Sequence, residues 1–344
     1  MSVDIEDLNL IANKLAKDFL FFKNKRIFLT GGTGFFGKWL LETFLFLNTQ
    51  HNLNISVSIL SRSPEKFKES YPHISSHERF VYIKGDVKSF QDNTEYYDLI
   101  IHAATDASSG RNQTETELMR STIMDGTKRI CDFAKKVNCQ RILYTSSGAA
   151  YGPQPESMSH ISETFVDNPF FNDNDAYASA KLESEKYLKA NSPCDVVIAR
   201  CFAFSGPYLP LNGSYAFGNF IENILNEKDI IIKGDGTAVR SYLYAADLVI
   251  WLLRLLSSGT NKEIYNVGSP VSISISELAS TINNVGSKKT NIYVSSKASQ
   301  KSIYVPDINK SKVELGLDVY TSLDAAIEKT LYFYKKNVKV NVTY

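Results

Sequence analysis

The chain has 344 residues, 43% of them hydrophobic and 22% charged, and its formal net charge is +1. That length can bury a substantial core in one large domain or in two unequal ones. Because the net charge is near zero and Lys and Arg are scattered, we expect neither a nucleic-acid partner nor an acidic membrane surface.

The spacing of the cysteines and histidines argues against a metal-binding protein and against a disulfide-rich secreted one. The four cysteines show no CxxC pattern and the five histidines form no HxxxH-type cluster, so we expect no metal site. Few, unpatterned cysteines are typical of a reduced cytosolic protein. No apolar run approaches the ~20 residues of a membrane helix, and no signal-type apolar region opens the chain. We therefore predict a cytoplasmic location and no membrane partner.

The first element is an amphipathic helix over residues 4–22. Its apolar side chains recur at helical spacing, namely Leu8, Ile11, Ala12, Leu15, Phe19 and Phe22. A periodic apolar face usually serves packing, so this helix is expected to lie on the body of the protein or on a sister subunit. Residues 1–24 are assigned to an N-terminal helical extension.

Short apolar runs then alternate with helical patterns. A helix follows the first run through about Phe46, and another spans about residues 122–137. The predicted strands are Arg26–Thr30, Ser56–Leu60, Phe80–Lys84, Leu99–Ala103 and Arg141–Thr145. Strands alternating with helices indicate βαβ units, and hence an α/β fold with a Rossmann-type doubly wound parallel sheet. Residues 25–205 are assigned to this dinucleotide-binding domain.

Turn signals become frequent after the second hundred residues. Gly206-Pro207, Asn212-Gly213 and Gly234-Asp235-Gly236 separate shorter elements in this part of the chain. We expect a smaller mixed α/β C-terminal lobe over residues 206–344, mainly substrate-binding, with some return of the chain to the Rossmann domain.

The first strand runs into a glycine-rich segment in which Gly31, Gly34 and Gly37 form a GxxGxxG pattern. The first glycine permits a tight turn, the second lets a pyrophosphate approach the backbone, and the third lets helix and sheet pack closely. The next helix supplies N–H groups and a partial positive charge to the phosphates. This pattern predicts NAD or NADP as the cofactor. The loop residues assigned to it are Gly31, Thr33, Gly34, Phe35, Phe36 and Gly37.

The ends of the later strands bear on the identity of the cofactor. An acidic residue after the second strand would bind the ribose hydroxyls and favour NAD, whereas this chain has Arg62 after a serine. Arg62 suits a 2′-phosphate and favours NADP over NAD, with both left open. Asp86, after the third strand, is placed to meet the adenine. Further cofactor contacts are assigned to Val87, Ala103 and Ala104.

A catalytic set follows the fifth strand. Ser147 ends that strand region, and Tyr177 and Lys181, four residues apart, share one face of a helix that begins near residue 176. Moving a hydride to or from a carbinol carbon requires a group that takes or supplies the hydroxyl proton. Tyrosine, with a usual pKa of about 10, is a poor base unless a neighbouring ammonium stabilises its phenolate. We therefore predict Tyr177 as the acid/base, Lys181 as its activator and Ser147 as the donor to the reacting oxygen.

This order of motifs resembles the NAD-dependent epimerase/dehydratase branch of the extended short-chain dehydrogenases, over about residues 26–335. Gly234–Leu248 resembles the family's GDGxxxRxxxxVxD segment, and Tyr304–Asp307 its YVPD element. The resemblance implies a nucleotide-diphosphate sugar as substrate, with Arg240 on the diphosphate and Asn219, Tyr304 and Ser147 as further contacts. A role in polysaccharide biosynthesis is a further implication.

The resemblance also implies a homodimer built on two helices of each subunit. Here those helices are the ones near residues 122–137 and 176–191. Leu182, Tyr187 and Leu188 could serve that interface, although a monomer's core would use the same side chains.

Four positions depart from the family's pattern. Family 4,6-dehydratases carry an Asp-Glu pair where this chain has Gly148 and Ala149, and decarboxylases of the family tend to keep the Glu. Ile123 and Ala203 stand where the family usually has Asn. Gly148 and Ala149 cannot transfer protons, so elimination of water lacks its usual acid and base.

The resulting prediction is an NAD(P)-dependent 4-ketoreductase or 4-epimerase acting on a nucleotide-linked hexose or deoxysugar. Arg62 favours the reductase and the family as a whole favours the epimerase. An alternative is a 4,6-dehydratase whose acid and base are displaced to other carboxylates between Ser147 and Tyr177. Those carboxylates are Glu156, Glu163, Asp167, Asp173 and Asp175. A non-catalytic Rossmann binding protein is the remaining alternative.

Overall fold

Strands and helices alternate through the first two hundred residues. The computed structural model describes residues 2–91, 95–104, 113–213, 215–286, 289–295 and 302–338. The strands are β1 (Arg26–Thr30), β2 (Ser56–Ser61), β3 (Phe80–Lys84), β4 (Leu99–His102), β5 (Arg141–Ser147), β6 (Asp195–Cys201), β7 (Phe204–Ser205), β8 (Ile230–Ile232), β9 (Val239–Ser241), β10 (Leu243–Tyr244), β11 (Ile264–Val267), β12 (Ser272–Ser274), β13 (Ile292–Val294) and β14 (Ile303–Tyr304). The helices are α1 (Ile5–Leu15), α2 (Phe19–Phe22), α3 (Phe35–His51), α4 (Pro64–Ser70), α5 (Pro72–Ser75), α6 (Gln113–Lys136), α7 (Ala176–Asn191), α8 (Ala216–Leu225), α9 (Ala245–Ser258), α10 (Ile275–Val285), α11 (Asn309–Leu315) and α12 (Leu323–Val338).

Seven strands form one sheet in the order β3-β2-β1-β4-β5-β6-β11. The pairs β1–β2, β1–β4, β2–β3, β4–β5 and β5–β6 are all parallel. This is the strand order of a doubly wound dinucleotide-binding sheet, so the predicted fold class is confirmed. A strand that is buried on both faces of a sheet is usually a near-continuous run of apolar residues. In β1, Ile27, Phe28 and Leu29 have no exposed surface. The carboxyl ends of these strands bring the predicted cofactor loop and Ser147 to one edge of the sheet.

The chain divides into two compact units. Unit 1 comprises Met1–Gly152, Asn168–Cys201 and Val249–Tyr265, and unit 2 comprises Pro153–Asp167, Phe202–Leu248 and Asn266–Tyr344. The predicted N-terminal extension lies in unit 1. A long apolar helix, α9, begins in unit 2 and continues in unit 1.

The N-terminal extension is broken where a single helix was predicted. It consists of α1, a short 3₁₀ turn over Ala16–Asp18, and α2. At the break, the buried Asp18 carboxylate binds Arg254 of α9, with 2.9 Å between Nε and Oδ2, and accepts a hydrogen bond from Ser257 at 2.7 Å. The Arg254 guanidinium also donates to the backbone oxygen of Lys14 at 2.7 Å. The extension is therefore held against the rest of unit 1 by a buried ion pair as well as by packing of its apolar face.

Helices α6 and α7 differ in how well the sequence marks their ends. Helix α6 begins at Gln113, nine residues before the predicted start, because its first turns are exposed and lack an apolar period. Helix α7 follows the prediction, since Asp175 caps it by accepting the N–H groups of Tyr177 and Ala178 at 3.1 and 3.0 Å. Leu188 is fully buried in the core of unit 1 and so serves the monomer. The predicted homodimer stays a prediction.

Unit 2 consists of small sheets and helices. Strand β9 pairs antiparallel with β12 and parallel with β14, while β10 pairs with β7 and β13 with β8. Helix α10 starts with a capping box in which Ser274 and Glu277 satisfy each other's backbone N–H groups.

Two negative findings apply to the residues that the structure describes. None of their helices is long and apolar enough to cross a membrane. No three or more of their His, Cys, Asp and Glu side chains are grouped so that they could hold a metal ion.

Candidate active site

The glycine loop between β1 and α3 is shaped for a close backbone approach. Gly31 has φ +72°, and a Cβ there would lie 2.4 Å from the backbone oxygen of Ala103. A Cβ on Gly37 would lie 2.3 Å from backbone atoms of Gly32. Gly34 is the N-cap of α3 and contributes no side chain to its first turn, which contains Phe35 and Phe36. A long helix that begins without a side-chain cap at the carboxyl edge of a parallel sheet fits the phosphates of a dinucleotide.

A buried hydrogen-bond network joins β1 and β4 directly beneath this loop. The Nδ1 atom of His102 lies 2.8 Å from Oγ1 of Thr30, and Nε2 lies 3.3 Å from Oγ1 of Thr127. The Thr30 hydroxyl oxygen accepts the Ala104 N–H at 3.1 Å, and the Thr127 hydroxyl donates to the oxygen of Ile123 at 2.7 Å. The network therefore fixes the predicted cofactor residues Ala103 and Ala104 against the start of the glycine loop.

These partners determine the tautomer of His102. Because the Thr127 hydroxyl already donates its proton, it accepts from His102, so Nε2 carries the hydrogen and Nδ1 accepts from Thr30. Burial, and then the nearby Lys181 charge, lower the pKa of His102 to about 3. The ring is therefore neutral at physiological pH and joins Thr30 of β1 to Thr127 of α6 through fixed hydrogen bonds.

The remaining predicted cofactor residues lie at the carboxyl ends of β2 and β3. Arg62 is exposed directly after β2, and Asp86 is half-buried after β3, where its Oδ1 accepts the Lys88 N–H at 2.9 Å. Val87 is buried, and its Cγ1 would lie 2.9 Å from a Cβ on Gly126 of α6. The structure thus places Arg62 and Asp86 on neighbouring strand ends, as the strand order requires.

The three predicted catalytic residues all lie in unit 1. Ser147 is the last residue of β5, and its Oγ accepts the Ala149 N–H at 3.1 Å. Tyr177 is half-buried in the first turn of α7, and Nζ of Lys181 lies 5.9 Å from its ring centroid. Lys181 also donates to the backbone oxygen of Thr145 at 2.8 Å, which connects the helix to the strand that ends at Ser147. The structure therefore brings these residues to one edge of the sheet.

Lys181 is held in an apolar and aromatic setting. Its side chain is almost completely buried, and Nζ lies 5.0 Å from the centroid of the Tyr144 ring. Burial lowers the pKa of Lys181 to about 8, opposed by Cys201 and Glu185, which favour the ammonium. The ammonium therefore predominates at neutral pH, and the surrounding medium makes its field on a neighbouring phenol stronger than it would be in water.

A buried ion pair supports the same helix one turn later. Glu185 of α7 accepts from Arg200 of β6, with 2.6 Å from Nη2 to Oε2 and 3.0 Å from Nε to Oε1. Ser146 also donates to the Glu185 carboxylate. The Arg200 guanidinium lies over the Tyr151 ring at 4.1 Å from its centroid. These contacts fix α7 against β5, which ends at Ser147, and against the neighbouring strand β6.

The positions that depart from the family pattern carry no proton-transferring group. Gly148 and Ala149 begin a 3₁₀ turn that continues from β5. Ile123 is buried against Ala180 of α7, in an apolar cluster that also contacts Tyr177. The five carboxylates that could replace the missing acid and base of a 4,6-dehydratase are either engaged in other hydrogen bonds or exposed. Asp175 caps α7, Glu163 accepts the Asn266 N–H at 2.7 Å within unit 2, and Glu156, Asp167 and Asp173 are exposed.

The predicted substrate residues Arg240, Tyr304 and Asn219 all belong to unit 2. Arg240 of β9 and Tyr304 of β14 are register partners on neighbouring strands. The Arg240 guanidinium donates to the backbone oxygen and hydroxyl of Ser302 at 3.0 and 3.2 Å, and Tyr304 packs on Phe202 with 4.6 Å between ring centroids. Asn219 of α8 exchanges two hydrogen bonds with the backbone of Gly213. Their roles toward a substrate stay predictions.

Several supporting residues escaped the sequence reasoning. His102, Glu185 and Arg200 were not singled out, because single polar residues within apolar strands or helices carry no periodic signal. For Glu185 a signal did exist, since it follows Lys181 by four residues and so shares its face of α7. Arg200 stands inside an otherwise apolar strand, where an ionised side chain requires a buried partner.

Comparison with known proteins is consistent with this geometry. Residues 27–268 match a family model described as the NAD dependent epimerase/dehydratase family. Among individual proteins, the chain is 27% identical over 319 residues to UDP-glucuronic acid decarboxylase 1 of Xenopus tropicalis. That match covers 92% of this chain and 73% of the relative.

Solved structures with the same fold include two enzymes of different activity. One is a UDP-N-acetylglucosamine 4-epimerase from Methanobrevibacter ruminantium M1, with 22% identity, a TM-score of 0.77, and coverage of 92% of this chain and 99% of that one. The other is a dTDP-glucose 4,6-dehydratase from Streptomyces venezuelae, solved with NAD, with 21% identity, a TM-score of 0.77, and coverage of 92% and 98%. At such identities the likeness establishes the fold.

Proposed function

Since the chain belongs to the NAD dependent epimerase/dehydratase family, we propose that it is a nucleotide-sugar 4-epimerase that moves a hydride without eliminating water. The proposal rests on a contrast between two pairs of residues. The Tyr177–Lys181 pair has the setting that proton transfer at a carbinol requires, whereas Gly148 and Ala149 offer no acid or base for elimination.

The cofactor site belongs to the same proposal. The dinucleotide, when bound, supplies the hydride acceptor and donor. Gly31, Gly34 and Gly37 leave room for its phosphates, and the amino end of α3 offers N–H groups and a partial positive charge. Ala103 and Ala104, held by the His102 network, form the neighbouring wall.

Each catalytic residue then has a distinct task. Tyr177 takes the hydroxyl proton as the sugar carbon is oxidised and returns it when the carbon is reduced. The Lys181 ammonium, anchored on the Thr145 oxygen, stabilises the phenolate. Ser147, whose Oγ is oriented by the Ala149 N–H, donates to the substrate oxygen. Arg240, Asn219 and Tyr304 of unit 2 are proposed as contacts to the nucleotide-diphosphate sugar, with Arg240 on the diphosphate.

The similarity to UDP-glucuronic acid decarboxylases raises a competing reaction. The two chains share about a quarter of their residues, and the family's decarboxylases tend to keep a Glu where this chain has Ala149. We therefore propose that a nucleotide-linked hexose keeps all its carbon and oxygen atoms in the reaction.

Ketoreduction is the second candidate, and Arg62 is the observation that favours it. An exposed Arg directly after β2 suits the 2′-phosphate of NADP, which a reductase would consume and release. Under this candidate the purified protein binds NADPH more tightly than NADH, and Arg62→Ala abolishes that difference.

The deciding experiment identifies the dinucleotide released on mild denaturation. It then follows the products from a panel of nucleotide hexoses and 4-keto sugars by mass and by chromatographic separation of the two 4-epimers. Epimerisation leaves the substrate mass unchanged and requires retained NAD. Ketoreduction adds two hydrogens and consumes free NADPH. Loss of water or of carbon dioxide would contradict the proposal, as would no turnover of any member of the panel.

A pair of matched variants assigns the acid/base. Tyr177→Phe should lower turnover by about 10²–10⁴-fold, the usual contribution of a positioned acid/base, with dinucleotide binding retained. Tyr187→Phe removes the same hydroxyl from the same helix and should leave turnover unchanged. Equal effects of the two substitutions would remove Tyr177 from its assigned role.

A further inference from the structure

An aromatic ring of β5 lies directly against the ammonium of Lys181. The Nζ atom of Lys181 lies over the ring of Tyr144 at 5.0 Å from its centroid, compared with 5.9 Å for the Tyr177 ring. Tyr144 and Lys181 are each only 1% exposed. A cation within about 6 Å of a ring centroid is attracted by the electron-rich face, and more strongly where water is excluded. The contact between Tyr144 and Lys181 meets both conditions.

The fold holds this ring in place between two polar neighbours. Tyr144 is the register partner of His102 in β4, and the two ring centroids lie 5.4 Å apart. On its other side, Lys181 donates to the backbone oxygen of Thr145, the next residue of β5, at 2.8 Å. The ammonium is therefore held on β5 by one hydrogen bond and by one ring face.

The other titratable groups around this ammonium are ion-paired or neutral. Glu185, one turn further along α7, accepts two hydrogen bonds from the Arg200 guanidinium. Burial raises the pKa of Cys201 in β6 to about 12, so that thiol is protonated at physiological pH. His102 is neutral, because burial lowers its pKa to about 3. The face of the Tyr144 ring thus adds its attraction to a site in which these neighbours already have settled charges.

We infer that Tyr144 is a positioning residue, whose ring face keeps Lys181 charged and holds it beside Tyr177. Under the proposed function, on which this inference rests, the Lys181 ammonium stabilises the Tyr177 phenolate. Burial lowers the pKa of Lys181 to about 8, so a further loss of stabilisation would leave the amine mostly neutral at physiological pH. The ring of Tyr144 thereby preserves the charge on which proton transfer by Tyr177 depends.

The electron density of the ring face can be lowered without changing the shape of the ring. Tyr144→Phe keeps the face, whereas Tyr144→trifluorophenylalanine places fluorine on the ring edge and withdraws electron density from the face at nearly constant volume. Tyr144→Leu removes the ring. In each variant, the Tyr177 phenolate is followed by its ultraviolet absorbance as the pH is raised in the presence of NAD. The same variant carrying Tyr177→Phe serves as the blank.

We expect the titrations to follow the strength of the ring face. Tyr144→Phe should form the Tyr177 phenolate at the same pH as the wild type. The fluorinated variant should form it at a higher pH, and Tyr144→Leu should do so at about one pH unit above the wild type. Turnover near neutral pH should fall about tenfold in Tyr144→Leu and recover as the pH is raised.

A matched control separates this effect from a general loss of packing. Tyr97 is another tyrosine of the same core cluster, and it is also 1% exposed. Tyr97→Leu should therefore open a similar cavity and leave the phenolate titration unchanged. Because the fluorinated ring fills nearly the same space as that of phenylalanine, the comparison with Tyr144→Phe decides the question even if Tyr144→Leu does not fold.

Lys181→Met tests the proposed function separately and without any substrate. It should raise the pH at which the Tyr177 phenolate forms at least as far as Tyr144→Leu does. No change in Lys181→Met would overturn the role assigned to Lys181 and the inference with it. A change in Lys181→Met with identical titrations of Tyr144→Phe and the fluorinated variant would overturn the inference alone, as would equal shifts in Tyr97→Leu and Tyr144→Leu.

Discussion

Glu185 and Arg200 form a buried bidentate ion pair between α7 and β6, with 2.6 Å between Nη2 and Oε2 and side-chain exposures of 2% and 8%. The pair lies one helical turn beyond Lys181 and also holds Ser146, the neighbour of Ser147. The placement of the proposed catalytic residues therefore depends on a charge pair that water hardly reaches.

Removing one member of this pair should destabilise the fold strongly. Arg200→Ala leaves the Glu185 carboxylate buried without its counter-charge, which typically costs about 3–5 kcal/mol of unfolding free energy. Urea unfolding of the wild type and the variant measures the loss. The double variant Glu185→Leu/Arg200→Met removes both charges and should recover much of it.

The control for that experiment lies on the same helix. Glu183 of α7 pairs with Arg120 of α6 at 2.8 Å, with side-chain exposures of 44% and 42%. Arg120→Ala should cost under about 1 kcal/mol, because exposed pairs gain little. Similar losses in Arg120→Ala and Arg200→Ala would mean that burial does not set the strength of these pairs.

Gly31→Ala should abolish dinucleotide binding. The substitution forces a Cβ to within 2.4 Å of the Ala103 backbone oxygen at a positive φ, so the glycine loop must open. Isothermal titration with NAD and NADP measures the loss. Gly316→Ala is the matched control, since Gly316 also has a positive φ but no atom within 4 Å of the added Cβ. It should cost about 1–2 kcal/mol of stability with binding unchanged, and equal binding losses would count against the steric explanation.

Acidification should destabilise the protein through His102. Its pKa is about 3 when folded and 6.5 as a free side chain, so the unfolded chain binds the proton first as pH falls. The stability contributed by neutral His102 is complete above about pH 6.5 and is lost progressively below it. Between about pH 7.5 and 5.5, the wild type should lose about 1.4 kcal/mol more than His102→Gln, which cannot titrate. Parallel pH profiles in urea unfolding would show that His102 is not responsible.

The N-terminal extension should contribute to stability through one buried charge. Asp18→Ala leaves Arg254 in the core of unit 1 without its carboxylate, and we expect a loss of about 3 kcal/mol. The matched control is Lys312→Ala, which removes an ion pair with Asp318. The two side chains of that pair are 54% and 48% exposed, so its loss should cost under about 1 kcal/mol of stability. Thermal unfolding measures the loss of stability in both variants. Equal losses would mean that the buried Asp18–Arg254 pair, which holds the N-terminal extension, contributes no more to stability than an exposed pair does.

The elements with clear local signals were predictable from the sequence. Strand β1 and helix α7 begin and end where predicted, since an apolar run bounded by turns and a capped helix are written in adjacent residues. The start of α6 was predicted nine residues late, because exposed helical turns lack an apolar period. The break at Ala16–Asp18 was missed, because it depends on Arg254, far away in the chain.

By itself, the sequence predicted the Rossmann-type fold and the glycine loop, and it pointed to the proposed set of Ser147, Tyr177 and Lys181, because each is encoded by residue type at short spacing. Only the tertiary structure revealed the partners that give those residues their properties. The neutral tautomer of His102, the burial that lowers the pKa of Lys181, and the ion pair of Glu185 with Arg200 all arise between distant segments. Charge and protonation depend on the surrounding solvent and neighbours, which the order of residues along the chain does not specify.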